Sequence, residues 1–137
     1  MTERYLKNIL NARVYDVAQE TPLDLARRLS GRLGNQVWMK REDLQPVFSF
    51  KLRGAYNKIA GLPDDQRERG IIAASAGNHA QGVALAANRL GIESLIVMPR
   101  TTPPIKVASV REYGSRITLH GDTYDEACQL SLIHISE

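Results

Sequence analysis

The sequence predicts an α/β fold in which a parallel sheet lies between two helical layers. Apolar, β-prone runs at residues 71–74, 92–98 and 116–120 alternate with helical patterns at 78–90, 103–113 and 123–130. Repeated βα units with short connections imply parallel strands joined by right-handed crossovers. The first two strand runs are largely apolar along their length, as strands covered on both faces are.

The elements follow from local signals. Residues 3–10 and 23–33 read as helices, the second opened by Thr21 as N-cap with Pro22 in its first turn and closed by Gly31 and Gly34. Residues 37–40 (Val37, Trp38, Met39, Lys40) read as a short strand, and the polar segment 41–49 leads into a helix at 51–60. The helix at 103–113 starts with prolines and stops at Gly114. No internal repeat, low-complexity stretch or linker divides the chain.

The bulk composition excludes several classes. With 137 residues, 43% hydrophobic and 24% charged, the chain can bury a core and shows no disorder bias. A net charge of +3 comes from 18 Lys and Arg interspersed with 15 Asp and Glu, which argues against a nucleic-acid partner. The longest apolar runs, 83–87 and 95–98, fall far short of a membrane span, and the first residues do not form a secretory signal. A cytoplasmic location is therefore expected. Cys128 is the one cysteine, read as a helix-packing residue, and His120 and His134 have no partner pattern for a metal, so no metal is expected. The pair Glu42 and Asp43 reads as a solvated loop rather than as paired acid/base groups.

Two segments can carry chemistry. Ser49-Phe50-Lys51-Leu52-Arg53-Gly54-Ala55 puts a lysine in the first turn of a helix, with Ser49 available as N-cap. The positive end of a helix disfavours an ammonium and so favours the neutral amine that Schiff-base chemistry requires. Taken alone, the segment fits a solvated lysine as well. Ala74-Ser75-Ala76-Gly77-Asn78-His79-Ala80-Gln81-Gly82 lies where an apolar strand passes into an alanine-rich helix, a place where free N–H groups can hold a carboxylate or phosphate. Its bland alternative is a capped turn with Asn78 as N-cap.

Together these segments resemble the serine/threonine dehydratases, which have the tryptophan-synthase-β type of pyridoxal-phosphate (PLP) fold. The first resembles that family's PLP-lysine motif, and Ser75-Ala76-Gly77-Asn78-His79 its substrate-carboxylate loop. Lys40-Arg41-Glu42-Asp43-Leu44-Gln45-Pro46, Val97-Met98-Pro99 and Ile105-Lys106 extend the match in the right order. The opening from Asn8 to Asp16, followed by Thr21-Pro22-Leu23, is similar to the biosynthetic threonine ammonia-lyase branch rather than to serine racemases. Phe48 departs from the pattern, standing where many relatives have histidine.

The resemblance implies that Lys51 carries PLP as a Schiff base, releases it to L-threonine and then takes the substrate's α-proton. Phe50 packs against the cofactor and Asn78 hydrogen-bonds its phenolic oxygen. Ser75, Gly77, Asn78 and His79 form the substrate-binding loop, with His79 positioning rather than acting as acid or base. The product is 2-oxobutanoate with ammonia, which places the reaction in isoleucine biosynthesis. The match runs to about residue 130, so residues 1–130 are expected to be the amino-terminal part of an incomplete catalytic domain and 131–137 an unmatched tail, the mark of a truncated or frame-disturbed end. A glycine-rich loop for the PLP phosphate, a residue facing the pyridine nitrogen and an isoleucine-sensing domain are expected downstream, in a full-length homo-oligomer. The chain alone is expected to be inactive. Competing readings are a serine dehydratase or racemase and a non-catalytic α/β module that binds a small anion or a partner.

Overall fold

The computed structural model describes the backbone of residues 2–136 and the side chains of residues 3–133. The chain opens with α1 (Thr2–Leu10) and a 3-10 turn at Val14–Asp16. Strands β1 (Leu23–Leu25) and β2 (Trp38–Lys40) flank α2 (Arg27–Leu33). A second 3-10 turn at Glu42–Leu44 precedes α3 (Lys51–Ala60) and the short α4 (Asp64–Glu68). The remainder alternates as β3 (Ile71–Ala74), α5 (Asn78–Arg89), β4 (Ser94–Met98), α6 (Pro104–Glu112), β5 (Arg116–Leu119) and α7 (Tyr124–Ser136).

The central sheet is parallel, with β4 between β3 and β5. Ala73 lies beside Ile96, and Ile96 beside Ile117. Because side chains alternate along a strand, Ile71, Ala73, Ile96, Met98 and Ile117 share one face. That face meets Tyr56 and Ile59 of α3, Ala80, Val83 and Ala84 of α5, and Val110 of α6 in one core. Full burial of Ile96 and of Met98 contributes roughly 2 kcal/mol apiece. On the opposite face, α7 packs against β3 and β4, and its Ala127 is fully buried, as Val97 is within 1%. The result is the three-layer parallel α/β arrangement that the alternation of elements predicts.

Helix α3 buries Leu52, Ala55, Tyr56 and Ile59, a helical stripe of one apolar residue every three or four positions. Helix α5 buries mostly alanines and one glycine, Gly82, and small side chains let α3 and the sheet approach it closely. Both helices fall where their patterns predict.

Three local expectations change. Residues 23–25 are not helical but form β1, paired antiparallel with β2 so that Leu23 faces Lys40 and Leu25 faces Trp38. Thr21 is accordingly no N-cap: its hydroxyl donates to Glu42 Oε1 at 2.6 Å. A partner strand from residues 38–40 satisfies these backbone groups and overrides the Thr-Pro start signal, leaving α2 to begin at Arg27 and end at Gly34 in the left-handed region. Helix α7 does not stop at Leu130 but runs to Ser136, with Ser131 buried. Asp43 is solvated as expected, exposed beside Arg41, but Glu42 is not: its side chain is partly buried and paired with Arg53. Cys128 is half-buried on α7, and His120 follows β5, its N–H donated to Met98 O at 2.9 Å. The side chain of His134 lies outside the described residues. Among the described residues, no helix is long and apolar enough to cross a membrane.

Phe48 is the one described non-glycine residue with positive φ, at 54°. Its N–H closes a turn onto Gln45 O at 2.7 Å, and its ring is 75% exposed. A left-handed conformation costs an L-residue about 1–2 kcal/mol, while asparagine, aspartate and histidine occupy it more readily. That preference gives a physical reason for the histidine expected here in relatives. Phe48→Asn should therefore stabilise the chain by about 1 kcal/mol, since little packing is lost with the exposed ring. Urea denaturation measures this, and an unchanged or lowered midpoint would show that the turn carries no strain.

Candidate active site

The site lies at the carboxyl ends of the parallel strands, where α/β sheets open toward ligands. Ladder pairing continues one residue past β3, with Ser75 N–H donated to Val97 O at 3.0 Å. The chain then turns into α5. Ser75 Oγ accepts the N–H of Gly77 at 3.3 Å and that of Ala80 at 3.2 Å. Ser75, not Asn78, is thus the side chain that caps α5. With both backbone donors on its oxygen, the hydroxyl has its own proton left to donate.

Asn78 and His79 are the first two residues of α5, and their N–H groups have no acceptor among the described residues. Two free amides at the positive end of a twelve-residue helix, beside the Ser75 hydroxyl, form a cradle for a small anion. Gly77 serves it differently from the expectation, because its own N–H already goes to Ser75. Its contribution is space: a Cβ at Gly77 would meet nothing within 4 Å, so the backbone is open to a ligand there.

Lys51 is the first residue of α3. Ser49 Oγ accepts its N–H at 3.2 Å, so Ser49 does cap this helix, although Phe50 between them is already in the α region. The Lys51 ammonium lies 5.2 Å from the centroid of the Phe50 ring. Both side chains are exposed, and among the described residues no carboxylate is within salt-bridge distance of Lys51. Such an amine is free to react with a carbonyl compound.

The two segments are brought together by the packing of α3 on α5. A Cβ on Gly82 would lie 3.1 Å from Leu52 N and 3.2 Å from both the carbonyl carbon and the oxygen of Lys51. Only glycine lets α5 lie this close against the first turn of α3. The two halves also meet electrostatically: burial pushes the His79 imidazole below its usual value, and the Lys51 charge lowers it further. His79 is therefore held toward its neutral form, which suits positioning more than proton transfer.

A second set of contacts anchors the lysine helix from outside. Arg53, two residues past Lys51, donates to Glu42 Oε2 at 2.8 Å and Oε1 at 2.9 Å, a bidentate pair. Glu42 also accepts from Thr21 and from Gln45, while Gln45 and Arg53 donate to Gln19 O at 2.8 and 3.0 Å. The Arg53 hydrogen bond is the main cause that holds the Glu42 carboxyl down at about 2. Sequence reasoning missed this role, as it missed those of Gly82 and of Lys106, whose ammonium donates to Asn78 Oδ1 at 3.0 Å.

These features fit PLP. An exposed, unpaired lysine suits the aldehyde, and a helix-start cradle with an adjacent amide suits anionic oxygen atoms. The family of pyridoxal-phosphate dependent enzymes matches residues 14–135, and the chain belongs to it. Among individual proteins, it is similar to biosynthetic, chloroplastic threonine dehydratase 1 of Solanum lycopersicum, 65% identical over 123 residues that make up 90% of this chain and 20% of that protein. It is also similar to the biosynthetic L-threonine dehydratase of Pasteurella multocida, 63% identical over 90% of this chain and 24% of that protein. The chain thus spans about a fifth to a quarter of the length of these relatives. Among solved structures, the processed form of threonine deaminase isoform 2 from Solanum lycopersicum superposes with a TM-score of 0.89 at 55% identity, over 95% of this chain and 36% of that one. Maize serine racemase reaches 0.88 at 33% identity, over 95% and 40%.

Gly82→Ala should lower stability by about 1 kcal/mol, because the added methyl meets backbone, which cannot rotate away, and this exceeds the helix-propensity gain of alanine. A urea midpoint above that of the parent would show that α3 can retreat at no cost. Glu42→Gln should cost about 2 kcal/mol at neutral pH through loss of the charge-assisted pair. Because the folded-state value of Glu42 lies below its unfolded one, its contribution is complete above the ordinary carboxylate range and is lost as pH falls toward about 2. Denaturation at pH 7 and pH 3 should therefore show a smaller difference between parent and variant at pH 3; an equal difference at both would contradict the assignment.

Proposed function

We propose that this chain is the lysine-bearing, amino-terminal part of a threonine ammonia-lyase, converting L-threonine into 2-oxobutanoate and ammonia as an early step of isoleucine biosynthesis. The observation that carries this is the close contact at Gly82, which holds the backbone of the exposed Lys51 against α5, the helix whose start carries the free N–H groups of Asn78 and His79. When bound, PLP supplies an electron sink for the carbanion formed at the substrate's α-carbon.

In this reading Lys51 would hold the cofactor, and its Nζ would be the group that accepts the substrate's α-proton. The substrate carboxylate rests on the N–H groups of Asn78 and His79 and on the Ser75 hydroxyl, with Gly77 leaving room for it. That fixes the α-carbon toward Lys51. His79, neutral, orients without competing for the proton. Phe50 would pack against the cofactor, and the amide NH2 of Asn78 would donate to its phenolic oxygen. Loss of the β-hydroxyl as water and later addition of water at the same carbon skeleton leave ammonia as the net loss.

The high identity to biosynthetic threonine dehydratases supports threonine over serine, although the fold by itself matches maize serine racemase nearly as well. A lysine at the start of α3, in the segment that resembles a PLP-lysine motif, weighs against a purely anion-binding module. A homo-oligomeric full-length protein and a cytoplasmic location belong to the same reading, although the tomato relative is named chloroplastic. Residues 1–130 would then be catalytic-domain sequence, with residues 131–136 continuing α7 rather than standing apart.

The test is to mix purified chain with PLP, reduce with borohydride and map the labelled peptide. A visible absorbance band and a label confined to Lys51, both lost in Lys51→Ala, are expected. Label scattered over several lysines, or equally strong in Lys51→Ala, would overturn the assignment of Lys51. Turnover of threonine against serine by the protein containing this segment then separates the two substrate readings.

A further inference from the structure

Lys106 lies in the first turn of α6, where the helix dipole disfavours a cation. It has no carboxylate within salt-bridge distance among the described residues. Its ammonium instead reaches across to α5 and donates to Asn78 Oδ1 at 3.0 Å. Helices α5 and α6 pack on each other, so the two residues are held by rigid elements rather than by loops.

An ammonium has only donors. An asparagine side chain is nearly symmetric in shape and can turn its oxygen or its NH2 toward a neighbour, so the partner decides which end faces which way. We propose that Lys106 is a positioning residue for the cofactor site, pinning Asn78 Oδ1 so that the amide NH2 is left as the donor. The NH2 group has no acceptor among the described residues, as an amide awaiting an anionic oxygen should. This inference rests on the reading of Asn78 as the partner of the phenolic oxygen of PLP. It adds the reason why that amide points the right way, and places a second cation one amide away from the oxygen.

The chemistry of position 106 makes the idea testable with three substitutions. Lys106→Arg still offers only donors, Lys106→Met offers nothing and leaves the amide free to flip, and Lys106→Glu offers only acceptors and should attract the NH2. Two readouts are needed on the purified chain. The first is the side-chain amide signal of Asn78 in the cofactor-free chain, followed by NMR: it should stay in place in Lys106→Arg and move in Lys106→Met and Lys106→Glu, while the thermal midpoint is unchanged. The second is PLP affinity and the visible absorbance band, with borohydride mapping of Lys51. Affinity should fall about tenfold in Lys106→Met, further in Lys106→Glu, and be kept in Lys106→Arg. Adding Lys106→Met to Asn78→Ala should cause no further loss.

If the parent is labelled at Lys51 and all Lys106 variants share its affinity, band and Asn78 signal, the role of Lys106 is overturned while the reading of Lys51 stands. A Lys106→Met loss that persists in full on the Asn78→Ala background would also overturn it, since the lysine would then act through charge alone. If the parent itself takes no label at Lys51, the cofactor reading fails and this inference fails with it.

Discussion

The close contact between Gly82 and the backbone of Lys51 and Leu52 is the constraint on which the rest of the site depends. Lys51 and the Ser75–His79 turn lie on separate elements. They become one site because α5 carries no side chain where it crosses the first turn of α3. The alanines of α5 continue this economy of size along the core, so that α3, α5 and the sheet can be layered tightly.

Around that contact the structure uses hydrogen-bonding capacity in a directed way. Ser75 takes two backbone donors on its oxygen and keeps its proton, and Asn78 gives its oxygen to Lys106 and keeps its NH2. Both side chains are thereby turned into donors, close in sequence to the free amides at the start of α5. Among the described residues, the proposed anion site would need no buried, unpaired cation, whose desolvation would be costly. Lys51 stays exposed and without an acidic partner, which leaves its amine open to carbonyl chemistry.

The segment before α3 has a supporting role. Glu42 gathers Arg53, Thr21 and Gln45, and through Gln45 and Arg53 the backbone at Gln19 is tied to the lysine helix. The pair of arginine and carboxylate is partly buried, with 23% and 16% of the two side chains exposed, so it is screened less than the surface pairs of α4. It and the Gly82 contact both act on the first turn of α3. The strained turn at Phe48 lies between these anchors.

The sequence by itself determined the alternation of elements, the parallel sheet, the limits of α3 and the two motifs that carry Lys51, Ser75, Gly77, Asn78 and His79, because periodicity and capping are local properties of a chain. The resemblance of those motifs then supplied the cofactor and the family, to which the chain belongs. Tertiary structure decided everything that required a distant partner. Residues 23–25 became a strand because residues 38–40 were there to pair with them. Glu42 became a partly buried anchor because Arg53 reached it, and the capping of α5 fell to Ser75 because Asn78 lies inside the helix as its first residue. No spacing in the sequence announces that Lys106 meets Asn78 or that Gly82 touches Lys51, since those contacts are made by the crossing of rigid helices whose separation along the chain carries no periodic signal.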